Sequence, residues 1–193
     1  MIEPYAVAGF LAAVFPITAT PGASVALLIQ GGRRRALPVI GGTITGLYVH
    51  ATLAVLGLSA IVMQSSEAFA VVRVVGAVYL IGLGLWTWFA GRAPKTRPRT
   101  EPTYMRAVLA NVLNPKAAAI YLTLVPQFVT PQDNLAVQIY VLVTAHALLA
   151  LVWLSMWAFV VGKLPSTDVF RRWAKRVTAV VLVTLGVRAA VTA

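Results

Sequence analysis

Two short segments pair residues that free backbone groups with side chains that bind polar ligands. They are Thr20-Pro21-Gly22-Ala23-Ser24 and Asn111-Val112-Leu113-Asn114-Pro115-Lys116. Proline removes a backbone donor and clashes with the preceding turn, while glycine relaxes the chain. Within an apolar helix, each segment predicts an unwound point where free amides and carbonyls meet a ligand. Thr20, Pro21, Gly22 and Ser24, with Asn111, Asn114, Pro115 and Lys116, are therefore the candidate substrate-binding residues. Half-helices starting at Gly22 and Lys116 would point positive ends at an anionic group of a ligand, and carbonyls freed around Thr18–Thr20 would accept from a donor on it. Prolines also kink membrane helices with no further role. Two breaks, one in each half of the chain and both flanked by hydroxyl or amide side chains, favour function. Lys116 has a plainer reading too, as a cation snorkelling toward the cytoplasmic interface.

His50 and His146 are the candidate proton carriers, because imidazole titrates near neutrality. The alternative is that both are packing histidines with satisfied nitrogens. His50 lies in a stripe of small and polar residues, Thr43, Gly46, His50, Ala54 and Gly57, whereas His146 has the more apolar neighbours Leu142, Leu149 and Trp153. The chain has no cysteine, and its five acids avoid the middle of every apolar run. No metal site, cofactor or carboxylate proton relay is expected, and the absence of Gly-x-Ser-x-Gly and His-Glu-x-x-His argues against a membrane-embedded enzyme.

The elements that must hold these residues are apolar helices. Of 193 residues, 60% are hydrophobic and 11% charged, against roughly 45–50% and 25% in a soluble domain. The mean hydropathy is +0.85. A spanning helix needs about 20 predominantly apolar residues. Six candidate spans, near 5–30, 37–63, 69–91, 106–129, 135–162 and 173–193, predict an all-α polytopic membrane protein forming one transmembrane domain, with spans one and four broken. Residues 92–103 read as an extended linker. The first residues lack the basic region of a signal peptide and carry Glu3.

A net charge of +11 would suggest nucleic acid in a soluble protein. Here the charge alternates instead. Arg33, Arg34 and Arg35 follow span one. Arg92, Lys95, Arg97, Arg99 and Arg106 follow span three, and Lys163, Arg171, Arg172, Lys175 and Arg176 follow span five. These are thirteen of the sixteen basic residues. The positive-inside rule places the odd loops in the cytoplasm and both termini outside, in a cell (inner) membrane. Nucleic acid is not a partner on this reading; the lipid bilayer and a small molecule are.

His50 and His146 are 96 positions apart and Pro21 and Pro115 are 94 apart, as two inverted three-span repeats would produce. Both breaks nevertheless fall in the cytoplasmic half of their spans, where strict inversion would separate them. Gly42-Thr43-Ile44-Thr45-Gly46 reads as a close helix contact, and the Gly-rich faces of so small a unit suit a homodimer.

Taken together, these residues resemble the LysE/RhtB amino-acid exporters. The likeness rests on Thr20-Pro21-Gly22, Gly42 through Gly46 with Val49-His50-Ala51, Gly57-Leu58, and Gly76-Ala77-Val78-Tyr79-Leu80 with Gly82 or Gly84. Asn111 through Lys116, followed by Pro126-Gln127-Phe128-Val129, completes it. Nearly the whole chain is covered, most clearly at 16–57 and 107–129. Three positions depart from the pattern: Ala23 where many members continue Pro-Gly-Pro, Leu47 where some carry Asp, and His146 where others show an acid. A buried ammonium or guanidinium ordinarily seeks a carboxylate, so these departures argue against a basic substrate.

The resemblance implies secondary export of an amino acid or a derivative from the cytoplasm, driven by the proton motive force or the membrane potential. No phosphate-binding loop is present. One charge crossing about 100 mV yields roughly 2.3 kcal/mol, enough to sustain about a 50-fold gradient. The alternatives are a carrier for another small organic metabolite or ion, a pore, or an enzyme. Divalent metals would want carboxylates or several histidines, and a pore has no need of paired breaks.

Overall fold

A computed structural model describes residues 2–62 and 102–160 continuously, together with helical positions scattered between 71 and 89 and between 176 and 191. The expected spans near 69–91 and 173–193, the linker 92–101, Gly76 and Gly84 lie wholly or largely outside the described residues. Among the described residues every regular element is a helix.

The first broken span is α1 (Pro4–Ala19) and α2 (Ala23–Gly31), bent by 49°. Proline at the first position of α1 gives up an N–H that a helix start leaves unpaired anyway. The helix stops at Ala19 because Pro21 cannot continue the hydrogen-bond ladder, and Thr20 and Gly22 are extended. The α2 helix ends at Gly32, whose φ of 61° turns the chain while its N–H bonds the Leu28 carbonyl at 2.8 Å. That conformation favours glycine. A 3-10 turn, Arg33–Arg35, leads into α3 (Ala36–Val62). Its 27 residues extend about 40 Å, long enough to cross the roughly 30 Å hydrocarbon core at a tilt. Pro38 sits in the first turn, where its missing N–H costs nothing.

The second broken span begins with α4 (Tyr104–Val112), where the Thr103 hydroxyl accepts from the Arg106 N–H. After the break, α5 (Pro115–Ala119) continues through a π turn at Ile120–Leu124 and a 3-10 turn at Val125–Gln127. The segment from Lys116 to Gln127 is bent 56° from α4. The loop to α6 (Leu135–Val160) is closed by the buried Gln138. Its amide accepts from the Thr130 N–H and donates to the Thr130 carbonyl, both at 2.9 Å. The helices α3 and α6 are each long and apolar enough to cross a membrane, and each bent pair passes the same test as one span.

The two broken spans run antiparallel. Phe10 packs against Phe128 with ring centroids 5.7 Å apart. Lys116 reaches Thr20, and a Cβ on Gly31 would come within 2.8 Å of Pro102. These contacts follow the pair from one end to the other and put both breaks at one level. Arg33 lies over the Phe159 ring, 4.9 Å from its centroid. The end of α2, the start of α4 and the end of α6 therefore share one end of the bundle, the end from which the three basic connections depart.

Gly42 and Gly46 seat α4 on α3. A Cβ on Gly42 would lie 2.4 Å from the Tyr104 carbonyl oxygen, and one on Gly46 would lie 2.6 Å from Asn111 Cβ. Apolar packing forms two clusters. One gathers Phe10, Val14, Ile17, Leu47, Leu124, Ile139 and Leu142, and the other gathers Val25, Leu28, Val39, Ile40, Ala107, Leu154 and Trp157. The breaks fall between them.

Candidate functional site

Breaking a helix inside an apolar bundle exposes backbone groups that must find partners. Here each break is satisfied from another span. Pro115 has no N–H to give the Asn111 carbonyl, four residues earlier. His50 Nε2 takes that place at 3.2 Å as the donor, and the Asn114 N–H shares the same oxygen at 3.0 Å. At the other break, Lys116 Nζ donates to the Thr20 carbonyl at 3.0 Å, and the Thr20 hydroxyl turns back to the Pro16 carbonyl at 2.8 Å.

Between the two breaks lies a cavity of about 70 Å³, large enough to admit water or a small polar group. Its polar wall is made by Thr18, Thr20, Ser24, Thr43, Asn111, Asn114, Lys116 and His146, and its apolar wall includes Leu47, Ile120, Trp153 and Leu154. Lys116 is the one charged side chain in the lining, and no carboxylate of the described residues is there. The first turn of α2, Gly22 through Val25, also faces the cavity, and no side chain caps it. Its first amides are therefore open donors. The start of α5 differs, since Asn114 Oδ1 accepts from the Lys116 N–H at 3.0 Å and closes it. Thr43 Oγ1 lies 3.0 Å from Ser24 Oγ and donates to the Val39 carbonyl at 2.8 Å, tying α3 to the cavity. Two buried polar atoms on lining residues have no partner: Asn111 Oδ1, against Gly46, and Trp153 Nε1.

Of the residues singled out in the sequence, Thr20, Gly22, Ser24, Asn111, Asn114, Lys116 and His146 come together around this cavity. Pro21 and Pro115 make the breaks that shape it. His50 is buried but lies behind the wall, on the Asn111 carbonyl. His146 uses both ring nitrogens: Nε2 is 3.1 Å from Thr18 Oγ1, and Nδ1 is 3.1 Å from the Tyr121 hydroxyl. Tyr121, only 1% exposed, stands between the two histidines. Its ring stacks on His50 at 5.7 Å, with 6° between the planes, and on His146 at 6.0 Å. Tyr121 is not among the residues that the sequence marks for the site. Its signal was a phenol inside the apolar run 117–125, where a hydroxyl must find a partner. The π turn at 120–124 carries it there. Among the described residues no group of histidines and acids is arranged to hold a metal.

Residues 15–193 match the family of LysE type translocators. The chain is similar to the uncharacterized membrane protein YrhP of Bacillus subtilis, 29% identical over 92% of this chain and 97% of that protein. It is 35% identical to the homoserine/homoserine lactone efflux protein of Salmonella typhimurium, over 59% of this chain and 58% of that protein. A leucine efflux protein of Salmonella typhimurium is 27% identical, over 68% of this chain and 64% of the relative. No solved structure matches the chain.

Proposed function

The chain belongs to the LysE family of translocators, and from that premise we propose that it exports a small neutral amino acid, or a derivative keeping a free carboxylate, out of the cytoplasm. One observation carries this reading: the cavity at the paired breaks holds the Lys116 amine and open amides of α2, all hydrogen-bond donors, and no carboxylate of the described residues. Such a wall attracts a carboxylate. A cationic side chain would enter without a counter-charge, which a low-dielectric site penalises. The hydroxyl oxygens of Thr18 and Ser24 supply acceptors for the substrate's ammonium, and the small volume favours short side chains. The efflux relatives carry homoserine and leucine in their names, and both are neutral amino acids.

In this reading the end of the bundle bearing the basic connections faces the cytoplasm, the membrane is the inner membrane, and a proton or potential gradient supplies the energy. The test is counterflow in proteoliposomes with radiolabelled L-homoserine, L-leucine and L-lysine. Saturable exchange of a neutral probe, with no exchange of lysine, is the expected result. Exchange of lysine alone would overturn the substrate class, and non-saturable leakage of all three would make the protein a pore.

A further inference from the structure

An exporter coupled to protons must stop substrate and proton from occupying it together, and the cavity has one place where that exclusion is built in. Resting on the reading above, we propose that His146 is the coupling site, where a proton and the substrate's ammonium compete for the same imidazole.

The geometry separates the two histidines. His50 Nε2 is held as a donor by the Asn111 carbonyl, and the ring lies outside the cavity lining. His146 lines the cavity and is flanked on both nitrogens by hydroxyls, each able to donate or to accept a hydrogen bond. Either tautomer is therefore satisfied where it stands, and a proton entering at one nitrogen can leave from the other. Around His146, α1 contributes Thr18 and, edge-on at 6.3 Å, Phe10. The π turn contributes Tyr121. From α3, His50 stacks on Tyr121, and the Tyr48 hydroxyl is taken by Thr144 at 3.0 Å. Lys116 stands in the shared cavity, and no carboxylate of the described residues does.

With the substrate carboxylate at Lys116 and α2, the ammonium finds its acceptors at the Thr18 and His146 end. Neutral His146 accepts it, directly or through the Thr18 hydroxyl. Protonated His146 has no lone pair left and carries a like charge, so it excludes the ammonium. Release of the amino acid outside frees the imidazole to take a proton there. That proton leaves to the cytoplasm when the cavity reopens inward, one proton in for each zwitterion out. Tyr121 is the positioning residue, because its hydroxyl holds Nδ1 and sets the ring's orientation.

The experiment measures the KM of gradient-free exchange against pH in proteoliposomes of the intact protein, with radiolabelled L-homoserine and L-leucine as probes. Wild type is expected to show a KM that rises about tenfold per pH unit on the acid limb, with kcat unchanged, as simple competition requires. His146→Gln, which keeps a polar donor and acceptor but cannot titrate, should lose that slope and fail to accumulate probe under a proton gradient. Tyr121→Phe should keep the slope and move its midpoint, which a merely structural role would not do. A wild-type KM that is flat between pH 8 and pH 5 overturns the proposal without recourse to any variant. So does a His146→Gln protein that retains the slope or gradient-driven accumulation. Wild-type vesicles that exchange neither probe overturn the export reading itself, an outcome distinct from exchange with a flat profile.

Discussion

Lys116 Nζ donates to the carbonyl oxygen of Thr20 at 3.0 Å and joins residues 96 positions apart. The carbonyl is free because Pro21 and Gly22 follow it, and the amine arrives because Pro115 starts a helix one residue earlier. Each break supplies what the other lacks. A hydrogen bond of this kind contributes about 0.5–1.5 kcal/mol to stability, so Lys116→Met should lower the melting temperature in detergent, and, with the donor facing the cavity gone, should raise the exchange KM. An unchanged KM would reduce the lysine to an interfacial anchor.

The α3–α4 contact depends on the absence of a side chain. In Gly42→Ala the new Cβ meets the Tyr104 carbonyl oxygen at 2.4 Å and Ala107 Cβ at 2.7 Å. Backbone cannot yield as a flexible side chain does, and overpacking of this kind costs about 1–3 kcal/mol. A Cβ on Gly57, on the same helix, meets nothing within 4 Å. Gly57→Ala should be neutral or stabilising by up to about 1 kcal/mol. Thermal unfolding of the two variants side by side checks the contrast, and equal shifts would refute it.

Gln138 closes the turn before α6 through a two-bond contact with the Thr130 backbone. Gln138→Leu removes both bonds from the backbone of the exposed Thr130, a loss near the net value of about 0.5–1.5 kcal/mol per hydrogen bond. Lower unfolding temperature and faster proteolysis near 130–134, with any surviving exchange keeping its wild-type KM, are the expected signatures.

His50→Phe should keep the stack on Tyr121 while losing the donor to the Asn111 carbonyl. The Asn114 N–H still serves that oxygen at 3.0 Å, so the loss should stay near the net value of one hydrogen bond, about 0.5–1.5 kcal/mol. A calorimetric scan gives the number. A drop of several kcal/mol would mean that His50 carries more of the break than this.

Much of the fold was legible in the chain because its causes are local. The apolar run at 37–63 is α3, the run at 135–162 contains α6, and the breaks fall at Pro21-Gly22 and Asn114-Pro115, where the ladder loses donors. The Gly42-xxx-Gly46 spacing marked a helix contact, and α4 fills it. Most of the polar side chains around the cavity could be named from the sequence, but not how they face one another. Thr18 and Trp153 line the cavity through rotation of their helices, and Tyr121 reaches both histidines only because a π turn lies under it.

Spacing, proline chemistry and loop charge act within a few residues or through a whole-chain bias, so the sequence alone determined where helices run, where they break and which connections are basic. Partnership across the bundle depends on the antiparallel register of two spans nearly a hundred residues apart, and no local signal encodes that register. Only the tertiary structure decided that the breaks meet at one level and that Lys116 crosses between them. It also decided which histidine stands in the cavity wall and which one caps a carbonyl behind it.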